Sequence, residues 1–208
     1  MKNYLVFDAG GTFTKYALMD ENAEILEKDK VPTPDYHTKT KEDYYAVLDS
    51  VVEKYRNRIE GIAISMPGML DNRNGYCVTA GYLAYLAGST VGTELSQRYG
   101  IPVSVENDGK CAALAEFWRG SLRGCTNGAV VVIGTGVAGG IILNGKLSAE
   151  IIHRRRIQLC MHRGERAGRD GQLLGNDQWR GRACKDCCKA YRRGLEDLRW
   201  IEDIRSGK

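Results

Sequence analysis

Three short stretches of the chain combine residue types that can handle phosphate and protons. The first is Asp8-Ala-Gly-Gly-Thr-Phe-Thr-Lys15. Gly10 and Gly11 let a backbone turn tightly and approach an anion, Thr12 and Thr14 supply hydroxyl donors, and Lys15 supplies positive charge. Asp8, at the end of an apolar run, offers a hard oxygen ligand for Mg2+, directly or through water. An ordinary hairpin turn is the bland alternative, but the combination of residue types favours anion binding. The second stretch is Gly134-Thr-Gly-Val-Ala-Gly-Gly140, where Gly134, Thr135, Gly136, Gly139 and Gly140 would cradle a second phosphate. Its first six residues fit the G-x-G-x-x-G dinucleotide pattern, which needs a helix after it. Ile141 to Leu147 reads instead as a strand and an Asn144-Gly145 hairpin turn, so a phosphate-gripping hairpin tip is expected, with a plain turn as the alternative. The third is Glu106-Asn107-Asp108, at a junction of strand and helix. Strand carboxyl ends line ligand crevices in α/β folds. Asp108 can take the proton of an attacking hydroxyl and Asn107 can hydrogen-bond the same molecule. Both residue types also cap helices well, and the local sequence leaves the two readings open.

The elements that must position these stretches follow from periodicity. Tyr4–Phe7, Lys15–Asp20 and Ala23–Val31 read as strands of a meander. Lys41–Tyr55 places Tyr44, Tyr45, Leu48, Val51, Val52 and Tyr55 at helical spacing behind Thr40, a capping residue. A buried-type strand over Ile59–Ser65, a Pro67-Gly68 turn, a helix over Val91–Tyr99, a strand over Pro102–Glu106 and a helix from about Lys110 to Trp118 continue the pattern. The alternation predicts an α/β fold. Strands over Ala129–Ile133 and Val137–Leu143 then restart it, as if a second lobe began as the first did.

Composition bounds the rest. With 208 residues, 43% hydrophobic and 27% charged, the chain has the make-up of a globular protein rather than a disordered or fibrous one. No apolar run approaches the roughly 20 residues of a spanning helix. The first residues lack the apolar stretch of about 7 to 15 residues that a signal peptide needs, so a cytoplasmic location with no membrane partner is expected. Seven cysteines are an odd number, and Cys77, Cys111 and Cys125 are scattered in apolar or loop contexts, which argues against a disulfide framework and for reduced thiols. The net charge of +4 hides a division: residues 1–147 hold 15 Lys+Arg and 17 Asp+Glu, whereas residues 148–208 hold 15 and 9, with 12 of the 18 arginines.

The three sites, in this order, resemble the sugar kinases of the repressor, open reading frame and kinase (ROK) family. The resemblance runs from Met1 to about Leu147 and includes the D-x-G-G-T-x-x-K loop, Pro67-Gly68 with Asp71 and Gly75, Val105-Glu-Asn-Asp-Gly-Lys-Cys-Ala-Ala-Leu-Ala-Glu116, and the second glycine loop. It implies an actin-like, hexokinase-like (ribonuclease H-like) ATPase fold, with a complete first lobe (residues 1–110) and an incomplete second lobe (residues 111–147). ATP phosphates would lie between the Gly10 and Gly134 loops and a hexose against Gly68, Asn107 and Asp108. Asp108 would act as the base for transfer to the 6-hydroxyl of glucose, a β-glucoside or N-acetylmannosamine, with ATP and Mg2+ as cofactors. Phosphoryl transfer depends mainly on positioning and charge stabilisation, which suits such parts. Relatives of this kind are commonly dimers, which leaves a homodimer open.

Two family features are absent from the sequence: the A-G-E segment whose Glu binds sugar, and the zinc-binding cysteine cluster. Cys184-Lys-Asp-Cys187-Cys188 has no second ligand pair at metal spacing, so no zinc is expected. The aberrant basic, Cys-rich tail (residues 148–208) reads as the product of a shifted frame. Back-translating His153 to Gln158 with suitable codons and reading from the second base gives T-A-G-E-F, the missing segment. Weak or no kinase activity is therefore expected. The rivals are a non-catalytic nucleotide- or sugar-binding protein of the same family, a DNA-binding regulator, for which Asp8 lies too near the start, and a nucleic-acid arm. Nine acids interspersed in the tail argue against that arm, and no nucleic-acid partner is expected.

Overall fold

The computed structural model describes residues 2–133 and 137–148. They fall into two units, dividing between Cys111 and Ala112. The first is built on five strands. β1 (Asn3–Ala9), β2 (Phe13–Asp20) and β3 (Ile25–Pro32) form the antiparallel meander, and β4 (Gly61–Met66) lies parallel to β1 on its other side. A two-stranded hairpin follows, β5 (Leu70–Asp71) with β6 (Tyr76–Cys77), and β7 (Val103–Asn107) completes the sheet in the order β3-β2-β1-β4-β7.

Strand alternation gives this sheet one strongly apolar face. Leu5, Phe7 and Ala9 of β1, Tyr16 and Leu18 of β2, Ile62, Ile64 and Met66 of β4, and Val105 of β7 are all buried in one cluster. Opposite sides of one strand need opposite polarity only where one face is covered, and here α1 (Lys41–Tyr55) and α2 (Val91–Tyr99) contribute to the same core. The apolar stripe of α1, from Tyr44 to Tyr55, is the buried one. Its start is fixed by a capping box: Asp43 N–H donates to Thr40 Oγ1, and Thr40 N–H donates to Asp43 Oδ2. α2 ends where Gly100 takes a left-handed conformation, φ 71.

Boundaries differ from the sequence reading where pairing or capping adds residues. β2 begins at Phe13 because Phe13 pairs with Pro32. β3 begins at Ile25 because Asp20 Oδ1 accepts from the N–H groups of Asn22 and Glu24 and holds those residues in a turn. The last helix of the first unit, α3 (Asp108–Arg119), starts at Asp108 and runs on into the second unit.

The second unit has a small core of Ala113, Phe117 and Ile142, with Leu122, Val130 and Leu147 packed on it. β8 (Gly128–Ile133), β9 (Val137–Leu143) and β10 (Lys146–Leu147) form its antiparallel sheet. The Asn144-Gly145 turn between β9 and β10 has positive φ at both residues, 51 and 75, as a two-residue hairpin requires. The helix expected over about 185–204 lies outside the described residues.

Candidate active site

Asp8 stands near the carboxyl end of β1, directly across the ladder from Lys15 on β2. Their side chains meet at 3.3 Å and are mostly in solvent, 55% exposed for Asp8 and 70% for Lys15. Between them the chain turns through Gly10, Gly11 and Thr12, closed by Gly10 N–H donating to Phe13 O at 3.2 Å. Gly11 and Thr12 face solvent. Thr14 does not. It is fully buried on the core face, where its hydroxyl lies 2.9 Å from Thr33 Oγ1 and 3.3 Å from Tyr44 OH. The expectation that Thr14 offers a hydroxyl to phosphate is corrected here: strand alternation sets it on the same face as Tyr16 and Leu18, and its hydroxyl braces the loop from behind.

Thr14 shares this task with Thr33, a residue the sequence reading missed. The Thr33 hydroxyl donates to Gly10 O at 2.7 Å and its N–H donates to Thr12 O at 3.0 Å. Nothing in the local motif announces Thr33, because the pairing of β2 with β3 brings it from 23 residues away.

On the neighbouring strands the 67–69 turn and the end of β7 are joined. Gly68 sits at φ 114, and a Cβ there would run into the carbonyl of Thr79, so only glycine fits. Its own carbonyl accepts from Asn107 Nδ2 at 2.9 Å. The same amide nitrogen donates to Asp108 Oδ1 at 3.0 Å, and Gly109 N–H donates to that oxygen at 2.8 Å. Asn107 Oδ1 accepts from Lys110 N–H at 3.2 Å, the geometry of a helix N-cap. The capping reading of this motif is what the geometry displays, with Asn107 capping α3 while it also holds the Asp108 carboxylate. Both amide protons of Asn107 are taken up in this way, leaving its Oδ1 as the atom with capacity for a further partner.

Burial, reinforced by the nearby negative charge of Asp8, holds Asp108 above the usual carboxylate range, although the bonds from Gly109 and Asn107 pull the other way. A carboxylate poised in this way has the character of a general base. Behind it, Glu106 is fixed from three sides. Asn72 Nδ2 reaches its Oε2 at 2.9 Å, Asn107 N–H donates to Oε1 at 2.8 Å, and Lys110 Nζ lies 3.4 Å from Oε1 in a pair whose side chains are only 7% and 17% exposed for Lys110 and Glu106. The sequence reading missed this pair also. Cys111, next in the chain, is a poor nucleophile, since burial pushes its thiol up to about 12.

In the second unit, β8 and β9 pair antiparallel from Gly128 with Ile142 to Ile133 with Val137, so Val137–Leu143 is a strand and not the helix that a dinucleotide motif needs. Residues 134–136, with Gly134, Thr135 and Gly136, lie outside the described residues. Gly139 and Gly140 are strand residues paired with Val131 and Val130, and a Cβ on Gly139 would meet the Val130 carbonyl. The cysteines at 184, 187 and 188 also lie outside the described residues; among those residues no cluster of three or more His, Cys, Asp or Glu side chains forms a metal site, and no helix is long and apolar enough to cross a membrane.

Comparison with known proteins matches this arrangement to a family. The model of the ROK family matches residues 4–149. The N-acetyl-D-glucosamine kinase of Vibrio cholerae is 32% identical over 187 residues, covering 83% of this chain and 60% of that protein. The beta-glucoside kinase of Klebsiella pneumoniae is 34% identical over 143 residues, covering 68% and 46% respectively. A ROK family glucokinase from Streptomyces griseus, solved in complex with glucose and AMPPNP, aligns with TM-score 0.62 and 29% identity over 70% of this chain and 46% of its own. The chain thus spans about half the length of the proteins it matches.

Proposed function

On the premise that the chain belongs to the ROK family, we propose that it carries the acceptor and phosphate sites of an ATP-dependent sugar kinase acting on the 6-hydroxyl of a hexose or N-acetylhexosamine. Its fold is the actin-like, ribonuclease H-like ATPase fold of the ROK hexokinases. The observation that carries the reading is the Asp108 carboxylate, half-buried, raised in pKa and aimed by Asn107, which is itself tied to the Gly68 turn.

The chemistry follows from those positions. An acceptor sugar held against Gly68 and the free face of Asn107 Oδ1 would present a hydroxyl to Asp108, which takes its proton as the oxygen attacks the γ-phosphorus of ATP. The raised pKa of Asp108 brings it closer to neutral pH and makes that proton transfer less uphill. The exposed turn at Gly11 and Thr12, with Lys15 beside it, would receive phosphate oxygens of ATP. Asp8 fits a hard cation: it is an exposed carboxylate at a strand end whose charge is felt by a second carboxylate. It would hold Mg2+, directly or through water, and the ion when bound supplies charge neutralisation for the phosphates. The absence of an A-G-E segment from the sequence makes weak turnover the expectation for this chain, in the cytoplasm and with no nucleic-acid partner.

The test is a sugar panel. The full chain is incubated with ATP, Mg2+ and glucose, a β-glucoside, N-acetylglucosamine or N-acetylmannosamine, and product is read by 31P NMR. Slow formation of a sugar 6-phosphate supports the reading, whereas phosphate release with no dependence on any sugar contradicts it.

A further inference from the structure

Two glycines in succession leave the Gly10–Gly11 peptide free to rotate, because no Cβ resists a flip of its carbonyl. A trans peptide sets its C=O and the following N–H in opposite directions. Whatever fixes the Gly10 carbonyl therefore aims the Gly11 N–H, the donor at the exposed tip of the turn.

That carbonyl is held by Thr33. Its hydroxyl donates to Gly10 O at 2.7 Å, so the same oxygen must act as acceptor towards Thr14 Oγ1 at 2.9 Å. Thr14 in turn accepts from Tyr44 OH at 3.3 Å. The three hydroxyls thus form a one-way chain of donors that starts on α1 and ends on the turn. Burial pushes the Tyr44 hydroxyl up to about 12, so its proton, and with it the direction of the chain, persists at neutral pH. The backbone N–H of Thr33 holds the Thr12 carbonyl on the same side.

We propose that Thr33 is a positioning residue that locks the Gly10–Gly11 peptide with its carbonyl inward and the Gly11 N–H outward, ready to donate to a phosphate oxygen of a nucleotide. The inference rests on the nucleotide reading of this turn. Preorganised donors gain affinity because the ligand does not have to order them. Valine at position 33 keeps the shape and the backbone N–H but removes the hydroxyl, whereas serine keeps it.

The experiment uses the full chain as wild type, Thr33→Val, Thr33→Ser and Tyr44→Phe. A fluorescent ATP analogue is titrated with Mg2+ present, and the 13C shift of the Gly10 carbonyl is recorded without nucleotide. Thr33→Val is expected to weaken nucleotide binding about tenfold, the effect of one lost hydrogen bond, and to move the Gly10 carbonyl resonance. Thr33→Ser should restore both, and Tyr44→Phe should move the resonance in the same direction by less. Wild-type affinity in Thr33→Val, or an unmoved carbonyl in both Thr33→Val and Tyr44→Phe, overturns the inference while leaving the nucleotide reading intact. A wild-type chain that binds no nucleotide overturns that reading and this inference with it.

Discussion

Asp108 and Asn107 divide the labour at the residue scale. Asn107 caps α3, ties the Gly68 carbonyl and steadies the carboxylate, so its replacement by Ala would release three segments together. Asp108 carries the opposite signature, since its raised pKa records an environment that disfavours its charge. The folded protein binds this proton more tightly than the unfolded chain does, so Asp108 subtracts from stability above the unfolded pKa of about 4, increasingly as pH rises through the folded value. Asp108→Asn should therefore abolish phosphoryl transfer yet melt slightly higher than wild type at pH 7, with the two melting curves converging near pH 4. A variant that melts lower than wild type at pH 7 would mean that the charge is better satisfied than burial indicates. The place of this motif, where β7 ends and α3 begins, was legible in the sequence because an apolar strand pattern stops there and a helical one starts. The Glu106–Lys110 pair was not, because a Glu and a Lys four apart on paper look like any surface pair, and only the fold buries them.

At the scale of elements, α1 and α2 matched their predicted spans: the Thr40 capping box starts α1, and Gly100 in a left-handed conformation ends α2. Thr40→Ala should cost about 1 kcal/mol and lower Tm by about 2–4 °C, read by thermal denaturation. Turn geometry gives a sharper contrast. Gly68 and Gly88 both have positive φ, 114 and 81, but nothing lies within 4 Å of where a Cβ of Gly88 would sit. Gly88→Ala should thus show only the conformational penalty, about 1–2 kcal/mol, while Gly68→Ala adds the collision with Thr79 and should cost clearly more. Equal losses in denaturant titration would contradict this account of the 67–69 turn. Thr14 marks where a motif misled: two residues from Tyr16 and four from Leu18, it shares their face by strand period alone, and that period outweighs its place in a phosphate-loop pattern. Thr33 was hidden for a different reason, since register between β2 and β3 is a property of the folded pair and not of either segment.

For the whole molecule, the change in charge near residue 148 coincides with the end of the family match at residue 149. We read the basic tail as out of frame. The match to the Vibrio cholerae kinase covers 83% of the chain and so runs past that point, which is what a genuine tail would produce. The nucleotide sequence over codons 140–208 decides: a second frame continuing as A-G-E-F supports the frame change, and its absence refutes it. In the second unit, Val131 and Ile133 of β8 stand 52% and 74% exposed, an apolar strand surface of the kind that promotes association. Val131→Thr with Ile133→Lys should raise the soluble fraction, measured by light scattering at fixed concentration, with no change in the melting of the first unit. Unchanged association would place the sticky surface elsewhere. The central claim is that the first unit holds the base and acceptor turn of a sugar kinase, and the most direct measurement is sugar phosphate production by wild type and Asp108→Asn side by side. The account predicts slow, sugar-dependent product from the wild type and none from Asp108→Asn; product from Asp108→Asn at the wild-type rate would contradict it.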